Sequence, residues 1–528
     1  MRKILALLAV LLLLPGLAVT AKGTGEKTAT AKEPIEIGMS EFQFMGDVSD
    51  WPDLKAEYLK EFEKKFGVRI KMNLIPRNNY MEKLYLMIST GELTGMIRVF
   101  GAQDVLKCID DGTILPLDEY VKDNPVYQKE FVGYDNTMTS DGRTWGLFAG
   151  YARSGIFARM WRKDWLDKLG LKAPETVEEL YTAAKLMTEN DPDGNGKKDT
   201  VGLTSASGTW CIGDVFHAYD ARLNDTQSNS ITWDPVENAW GDSMLKPGMV
   251  DALKMMNALY KNGYLDNEFF TNKGSNMRDK IISGKYGSTY YWMHWGLRDA
   301  PPMIQKNVPT ATTTAVAALK GTRTTLINHI VSNGVLHVLV KGTKNPKEVV
   351  NSFINLFYDN KDAHFWGRFG IEGKNWKWDG NKVVQMKDPK TGNLMPTSGL
   401  IDTHPKFGFA KYPVVPEGSA DDQAKAIAMQ NLMDKIMDDG LADQSLFNVT
   451  NLYDNPRSPK YNAIVADLER IFNEVIVKAT TGELSPENAI KYYRDNMRKL
   501  GTAAAIEEMN AALGLATGRK ADTKWKNY

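Results

Sequence analysis

The chain of 528 residues has few of the groups that perform chemistry near neutral pH. Cysteine is limited to Cys108 and Cys211, and histidine to His217, His294, His329, His337, His364 and His404. These histidines show no metal-ligand spacing, and no Cys-x-x-Cys or His-Glu-x-x-His occurs. A Gly-x-Ser-x-Gly elbow and a Walker loop are also missing, and the first strand-to-helix turn lacks a dinucleotide glycine fingerprint. Charge of either sign is not in excess: 65 Lys plus Arg balance 65 Asp plus Glu. That balance removes the electrostatic case for nucleic acid or an anionic membrane as partner. Past the N-terminus no stretch is apolar enough to span a bilayer.

What is present begins with a targeting pattern. Arg2 and Lys3 precede the apolar run Ile4–Leu14, Pro15 and Gly16 break it, and Val19-Thr20-Ala21 offers a small-residue cleavage site. Residues 1–21 therefore read as a secretory signal peptide, and the polar residues 22–32 as a disordered leader. The apolar run is too short for a membrane anchor. The length allows two or three domains with sizeable cores. Aromatics make up 10% of the chain, including 13 Trp, so many must sit in cores or in a ligand site.

From Glu33 the pattern alternates between strand and helix. Residues 33–39 alternate like a strand, and Leu54, Tyr58, Leu59, Phe62 and Phe66 recur at helical spacing before Gly67. Val68–Leu74 reads as a strand, Tyr80–Thr90 as a helix and Met96–Phe100 as a strand, which predicts an α/β unit with a mainly parallel sheet. Val177, Leu180, Ala184 and Met187 mark one face of a later helix. That helix leads into Asp191-Pro-Asp-Gly-Asn-Gly-Lys-Lys-Asp-Thr200.

This last segment reads as a calcium loop. Asp191, Asp193, Asn195, the Lys197 carbonyl and Asp199 occupy positions one, three, five, seven and nine of an EF-hand-type loop, with Gly196 at six. Position twelve is Gly202, where a calcium sensor carries a bidentate Glu. The expectation is a structural Ca²⁺ with water or a nearby oxygen in place of the missing ligand. The competing reading is an Asp/Asn/Gly-rich surface turn.

The run Arg162–Lys172 with Pro174 and Thr176, and the loop Asp191–Thr200 with Gly202 and Leu203, resemble the extracellular solute-binding proteins of ABC importers. The likeness is to the carbohydrate-binding group that includes LplA-like lipoproteins and alginate-binding proteins. It implies a two-lobed periplasmic-binding-protein fold, type II-like, with a hinge between the lobes. Residues 33–150 and 325–372 would form lobe 1, and 151–324 and 373–528 lobe 2. This places Cys108 and Cys211 in different lobes, so two free thiols are expected. Relatives carry a lipidated cysteine after the signal peptide; none stands here, which points to a secreted, periplasmic or extracellular protein without a lipid anchor.

The resemblance also implies an oligosaccharide or related solute in the cleft, delivered by a monomer to permease subunits driven by a cytoplasmic ATPase. Sugars offer C–H faces and hydroxyl edges, so the cleft calls for flat aromatics with fixed polar groups. Trp292 and Trp295 in Tyr290-Tyr-Trp-Met-His-Trp295 are the leading candidates. Glu372 and Trp376 follow, then Tyr151 and Arg153 beside the first interlobe crossing, and Trp51, Trp210 and Arg77. Trp161 and Trp165 read as core. No catalytic residue is assigned. The rival is a secreted glycoside hydrolase or lyase, which shares the signal peptide, aromatics and calcium loop but needs two carboxylates flanking the scissile bond.

Overall fold

The computed structural model describes residues 34–42, 52–75, 80–99, 102–131, 139–140, 142–148, 157–206, 212–221, 223, 230–234, 239–316, 319–320, 336–395, 401, 405–407, 411–441 and 458–517. The strands in chain order are β1 Ile35–Phe42, β2 Val68–Ile75, β3 Met96–Val99, β4 Ile114–Leu115, β5 Thr139–Ser140, β6 Arg143–Thr144, β7 Leu147–Phe148, β8 Phe157–Arg162, β9 Val201–Leu203, β10 Ile231–Asp234, β11 Ala239–Asp242, β12 Tyr286–Trp292, β13 Thr313–Val316, β14 Leu336–Val340, β15 Trp376–Asp379, β16 Lys382–Gln385 and β17 Val414–Pro416. Two large apolar cores organise them.

The first core gathers residues 37–147 and 336–407. β1 and β2 pair in parallel, with Ile35 opposite Val68 and Phe42 opposite Ile75. Helix Pro52–Phe66 buries Tyr58 and Phe62 against this layer, as their spacing predicts. β14 enters from later in the chain and runs antiparallel to β3, β4 and β7. Pairing here is therefore mixed rather than mainly parallel, because the returning strand arrives from the opposite direction.

The second core gathers residues 161–319 and 461–509. Its sheet has the order β13-β8-β12-β9, with β8 antiparallel to both β13 and β12 and β9 parallel to β12. Helix Val177–Glu189 starts at a capping box, in which Thr176 accepts from the Glu179 amide and the Glu179 carboxylate accepts from the Thr176 amide. It buries Val177, Leu180, Ala183, Ala184 and Met187. Trp161 and Trp165 lie inside this core, as expected. Helices Pro459–Thr481, Pro486–Leu500 and Thr502–Thr517 complete it.

The sequence reading assigned residues from 373 onward to the second lobe. Trp376, Val383, Ile401 and Phe407 instead pack into the first core. The small sheet β15-β16-β17 joins the first core through Trp376 and Val383, and the chain turns to the second core later. The turn is made by helix Ala420–Leu441. The side-chain amide of its Gln430 accepts from the Val414 amide of β17 and donates to the Val414 carbonyl, while Met433 and Ile436 pack on Met293 and Leu297 beyond β12. Cys108 is a buried free thiol of the first core, its pKa pushed up to about 11 by burial. Cys211 lies outside the described residues.

Candidate functional site

Trp292 ends β12, and its cross-strand partner Phe157 begins β8. Cross-strand residues share a face, and the two rings lie 4.7 Å apart at 33°. Tyr290 extends the ladder, 5.5 Å from Phe157. His294 stands 5.9 Å from Trp292. Trp292 and His294 are half-buried, whereas Phe157 and Tyr290 are buried. A flat, half-buried indole backed by a second ring is the kind of group that stacks on a sugar.

Beneath the ladder lies a buried ion pair. Arg159 faces Tyr290 across the strands, with its guanidinium 5.8 Å from the Tyr290 ring centre. Arg159 Nε donates to Asp214 Oδ2 at 2.8 Å, and Nη2 donates to Oδ1 of the same carboxylate. Both side chains are 0% exposed. Asp214 belongs to helix Gly213–Ala218, so this pair ties that helix to β8 directly under the aromatic ladder. Breaking such a pair strands a buried charge. The sequence reading named neither residue. Their separation of 55 positions hides the contact from any local pattern.

The other predicted positions divide. Trp295 is 7% exposed and meets Tyr291 edge to face at 5.3 Å, so it is packed more deeply than the half-buried Trp292. Trp376 is 0% exposed; its ring is surrounded by Phe365, Phe369 and Trp378, and its Nε1 donates to the Gly370 carbonyl at 2.8 Å. Trp376 thus presents no surface to a ligand in this conformation. Glu372 is part-exposed and pairs with Lys65 at 3.2 Å, a surface contact of small energetic weight. The structure brings Glu372 and Trp376 together through a backbone bridge, with Trp376 in the first core, whereas Trp292 packs on a separate cluster with Phe157, Tyr290 and Trp295. Tyr151, Arg153, Trp51, Trp210 and Arg77 lie outside the described residues.

The acidic loop follows helix Val177–Glu189. Asp191 adopts φ 47° and Gly196 φ 76°, which fold the loop back on itself. Asp191 Oδ1 accepts from the amides of Gly194 and Asn195, and Oδ2 from the amide of Gly196 at 2.9 Å. Asn195 Nδ2 donates to Asp193 at 2.8 Å and to Asp199 at 3.0 Å. Lys285 Nζ donates to Asp199 Oδ2 at 2.8 Å. Partial burial, and then the adjoining Asp191, hold the Asp193 carboxyl above the ordinary range. The hydrogen bond with Asp193 and the loop amides hold Asp191 below it. Among the described residues no three carboxylate, imidazole or thiol groups converge on one metal position. Position twelve has a steric explanation: a Cβ on Gly202 would lie 2.5 Å from the Ala184 carbonyl oxygen, because β9 presses against the helix. A glutamate cannot stand there without moving backbone.

Residues 49–364 match the profile of the family described as bacterial extracellular solute-binding protein. The chain belongs to this family. The solute-binding protein is 24% identical over 418 residues to the polygalacturonan/rhamnogalacturonan-binding protein YtcQ of Bacillus subtilis strain 168, covering 75% of this chain and 79% of that one. Its fold matches a solved HMO-binding ABC-transporter-associated solute-binding protein from Bifidobacterium longum infantis ATCC 15697, with TM-score 0.66, 15% identity and coverage of 92% and 100%. It also matches the S. pneumoniae ABC-transporter substrate-binding protein FusA, as an EF-hand mutant in complex with fructo-nystose, with TM-score 0.64, 17% identity and coverage of 92% and 99%. The solute-binding protein thus has the two-lobed α/β architecture. Among the described residues no helix is long and apolar enough to cross a membrane.

Proposed function

We propose that this protein captures an oligosaccharide between its lobes and hands it, unaltered, to an ABC permease. The observation that carries the reading is the half-buried Trp292 backed by Phe157 at the end of β12, in a chain whose family binds solutes. Its relatives, which include a polygalacturonan/rhamnogalacturonan-binding protein and an HMO-binding protein, support sugar as the solute class. Lobe 1 comprises the first core, through β17, and lobe 2 the second core. Closure is a population shift: a ligand touching both lobes favours the form in which both can be touched. The protein performs no chemistry on the ligand, and it works outside the cytoplasmic membrane.

A structural Ca²⁺ at the acidic loop belongs to the same reading. Asp191, Asp193 and Asp199, the Asn195 amide oxygen and the Lys197 carbonyl are hard oxygen donors of the kind Ca²⁺ takes. Asn195 Nδ2 bridges two carboxylates, and turning that amide over presents its oxygen instead. When bound, the ion would neutralise this cluster and tie helix Val177–Glu189 to β9. Gly202 rules out a twelfth-position carboxylate, which favours a staple over a switch.

A glycan panel tested by thermal shift identifies the solute class, because a ligand that binds only the native form raises its melting temperature. Neutral and uronate-containing oligosaccharides form the two arms. A panel in which no saccharide shifts the transition while a peptide library does would overturn the sugar reading.

A further inference from the structure

The hairpin β10–β11 is fastened to the C-terminal helices at a point where the hydrogens can be counted. Ser230 Oγ lies 2.7 Å from Asp242 Oδ1, Tyr493 Oη lies 2.9 Å from Asp242 Oδ2, and Ser230 Oγ lies 2.7 Å from Tyr493 Oη. All three are hydrogen-bond distances, and each needs one hydrogen between its two oxygens. The serine and tyrosine hydroxyls supply two. The third edge of the triangle is satisfied only when the carboxyl itself carries a proton. A circular arrangement then results: Asp242 Oδ2–H donates to Tyr493, Tyr493 donates to Ser230, and Ser230 donates to Asp242 Oδ1. The Met244 amide adds a further donor to Oδ1 at 3.1 Å, which favours the carboxylate and is outweighed by burial.

The surroundings agree with a neutral group. Ser230 and Tyr493 are 0% exposed and Asp242 is 3% exposed. No described cation pairs with Asp242. The charged groups on the elements packed around it are engaged elsewhere or exposed. Lys246, after the turn Ser243–Leu245, pairs with Asp220. Lys254 of helix Gly248–Lys261 pairs with Glu487 of helix Pro486–Leu500. Glu508 of helix Thr502–Thr517 accepts from Ser458 and pairs with Lys460. Arg494, Arg498 and Glu507 are exposed. The remaining titratable neighbours are phenols: Tyr493 itself, and Tyr461 of helix Pro459–Thr481, which acts on Tyr493. Burial pushes the Asp242 carboxyl up to about 6.

We propose that Asp242 is a neutral carboxylic acid in the folded protein under mildly acidic conditions, and that its proton then closes a Ser230–Tyr493–Asp242 ring clasping the β10–β11 hairpin to helix Pro486–Leu500. The clasp is operated by acidity. The native group holds its proton more tightly than an unfolded aspartate, so folding takes up a proton between about pH 4 and about pH 6. Stability from this ring is therefore complete below that window, falls as pH rises through it, and is level above it. A further fastening of the hairpin, a two-way exchange between the Asn510 side chain and the Trp240 backbone, contains no titrating group and does not follow pH. The clasp is independent of which solute the protein binds.

The test uses the full chain and the substitution Asp242→Asn, which keeps the shape and always supplies the third hydrogen. Melting temperatures of both proteins are compared from about pH 4 to about pH 7.5. The expected result is near-equality at the acid end and a growing advantage for Asp242→Asn up to about pH 6, equivalent to about a hundredfold in the folding constant from the roughly two-unit difference in proton affinity. Infrared difference spectra of wild type against variant at about pH 5 should show one protonated-carboxyl band in the wild type, lost as pH rises. A variant that is less stable than wild type at every pH, or that fails to fold where wild type folds, would show that Asp242 serves as an anion and would overturn the proposal. Absence of the protonated-carboxyl band at about pH 5 would do the same.

Discussion

Replacing Trp376 by Ala separates scaffold from site in one experiment. The indole is 0% exposed, packed among Phe365, Phe369 and Trp378, and hydrogen-bonded to the Gly370 carbonyl. Removing a buried Trp costs about 3–5 kcal/mol through lost transfer energy and the cavity left behind. Loss of the Nε1 donor leaves the Gly370 carbonyl short of a partner and places the cost toward the upper end. For a cooperative unit of 150–250 residues, each kcal/mol lowers the melting temperature by roughly 2–4 °C. The first-core transition should therefore fall by on the order of 10 °C, read by scanning calorimetry on the ligand-free protein. Affinity measured on the surviving fold below that transition should be within about twofold of wild type, since a buried ring touches no ligand. A variant with an unchanged melting temperature and a tenfold weaker affinity would refute the reasoning and return Trp376 to the cleft.

Trp292→Ala should behave in the opposite way: binding weakens about tenfold or more, because a stacked aromatic anchor is worth at least about 1–2 kcal/mol, while the ligand-free melting temperature moves little. Titration calorimetry with the best saccharide of the panel checks this, and undiminished affinity would remove Trp292 from the site. A calcium chelator should lower the second-core transition and re-added Ca²⁺ should restore it; a transition indifferent to both would leave the acidic loop a plain turn. Gly202→Glu, which restores the twelfth-position carboxylate of an EF-hand, should destabilise by about 1–3 kcal/mol or more rather than tighten Ca²⁺, since its Cβ enters the Ala184 backbone. Tighter Ca²⁺ binding at unchanged stability would contradict that steric argument.

Local pattern carried the fold a long way. The buried face of helix Val177–Glu189 follows from Val177, Leu180, Ala184 and Met187 at helical spacing, and helix Pro52–Phe66 from Tyr58 and Phe62. The solute-binding family was legible because Arg162–Thr204 concentrates its distinctive residues in one continuous stretch. The site was less legible. Trp292 and Trp376 look alike in a linear string, and only the rings that tertiary packing brings around Trp376 bury it. The packing of β15 and β16 on the first core was illegible for the same reason, since it runs through side chains whose destination no period encodes. Asp214 under Arg159 and Tyr493 beside Asp242 are long-range partners, 55 and 251 positions away, so neither pairing leaves a trace in composition or spacing.

The most direct test of the central claim is recovery of the ligand after binding. Purified protein is incubated with a labelled oligosaccharide from the panel, separated from free sugar, and denatured, and the released sugar is weighed by mass spectrometry. Capture without chemistry predicts sugar of unchanged mass, about one molecule per chain, however long the incubation. Shortened or unsaturated fragments accumulating with time would contradict it and identify a hydrolase or lyase instead.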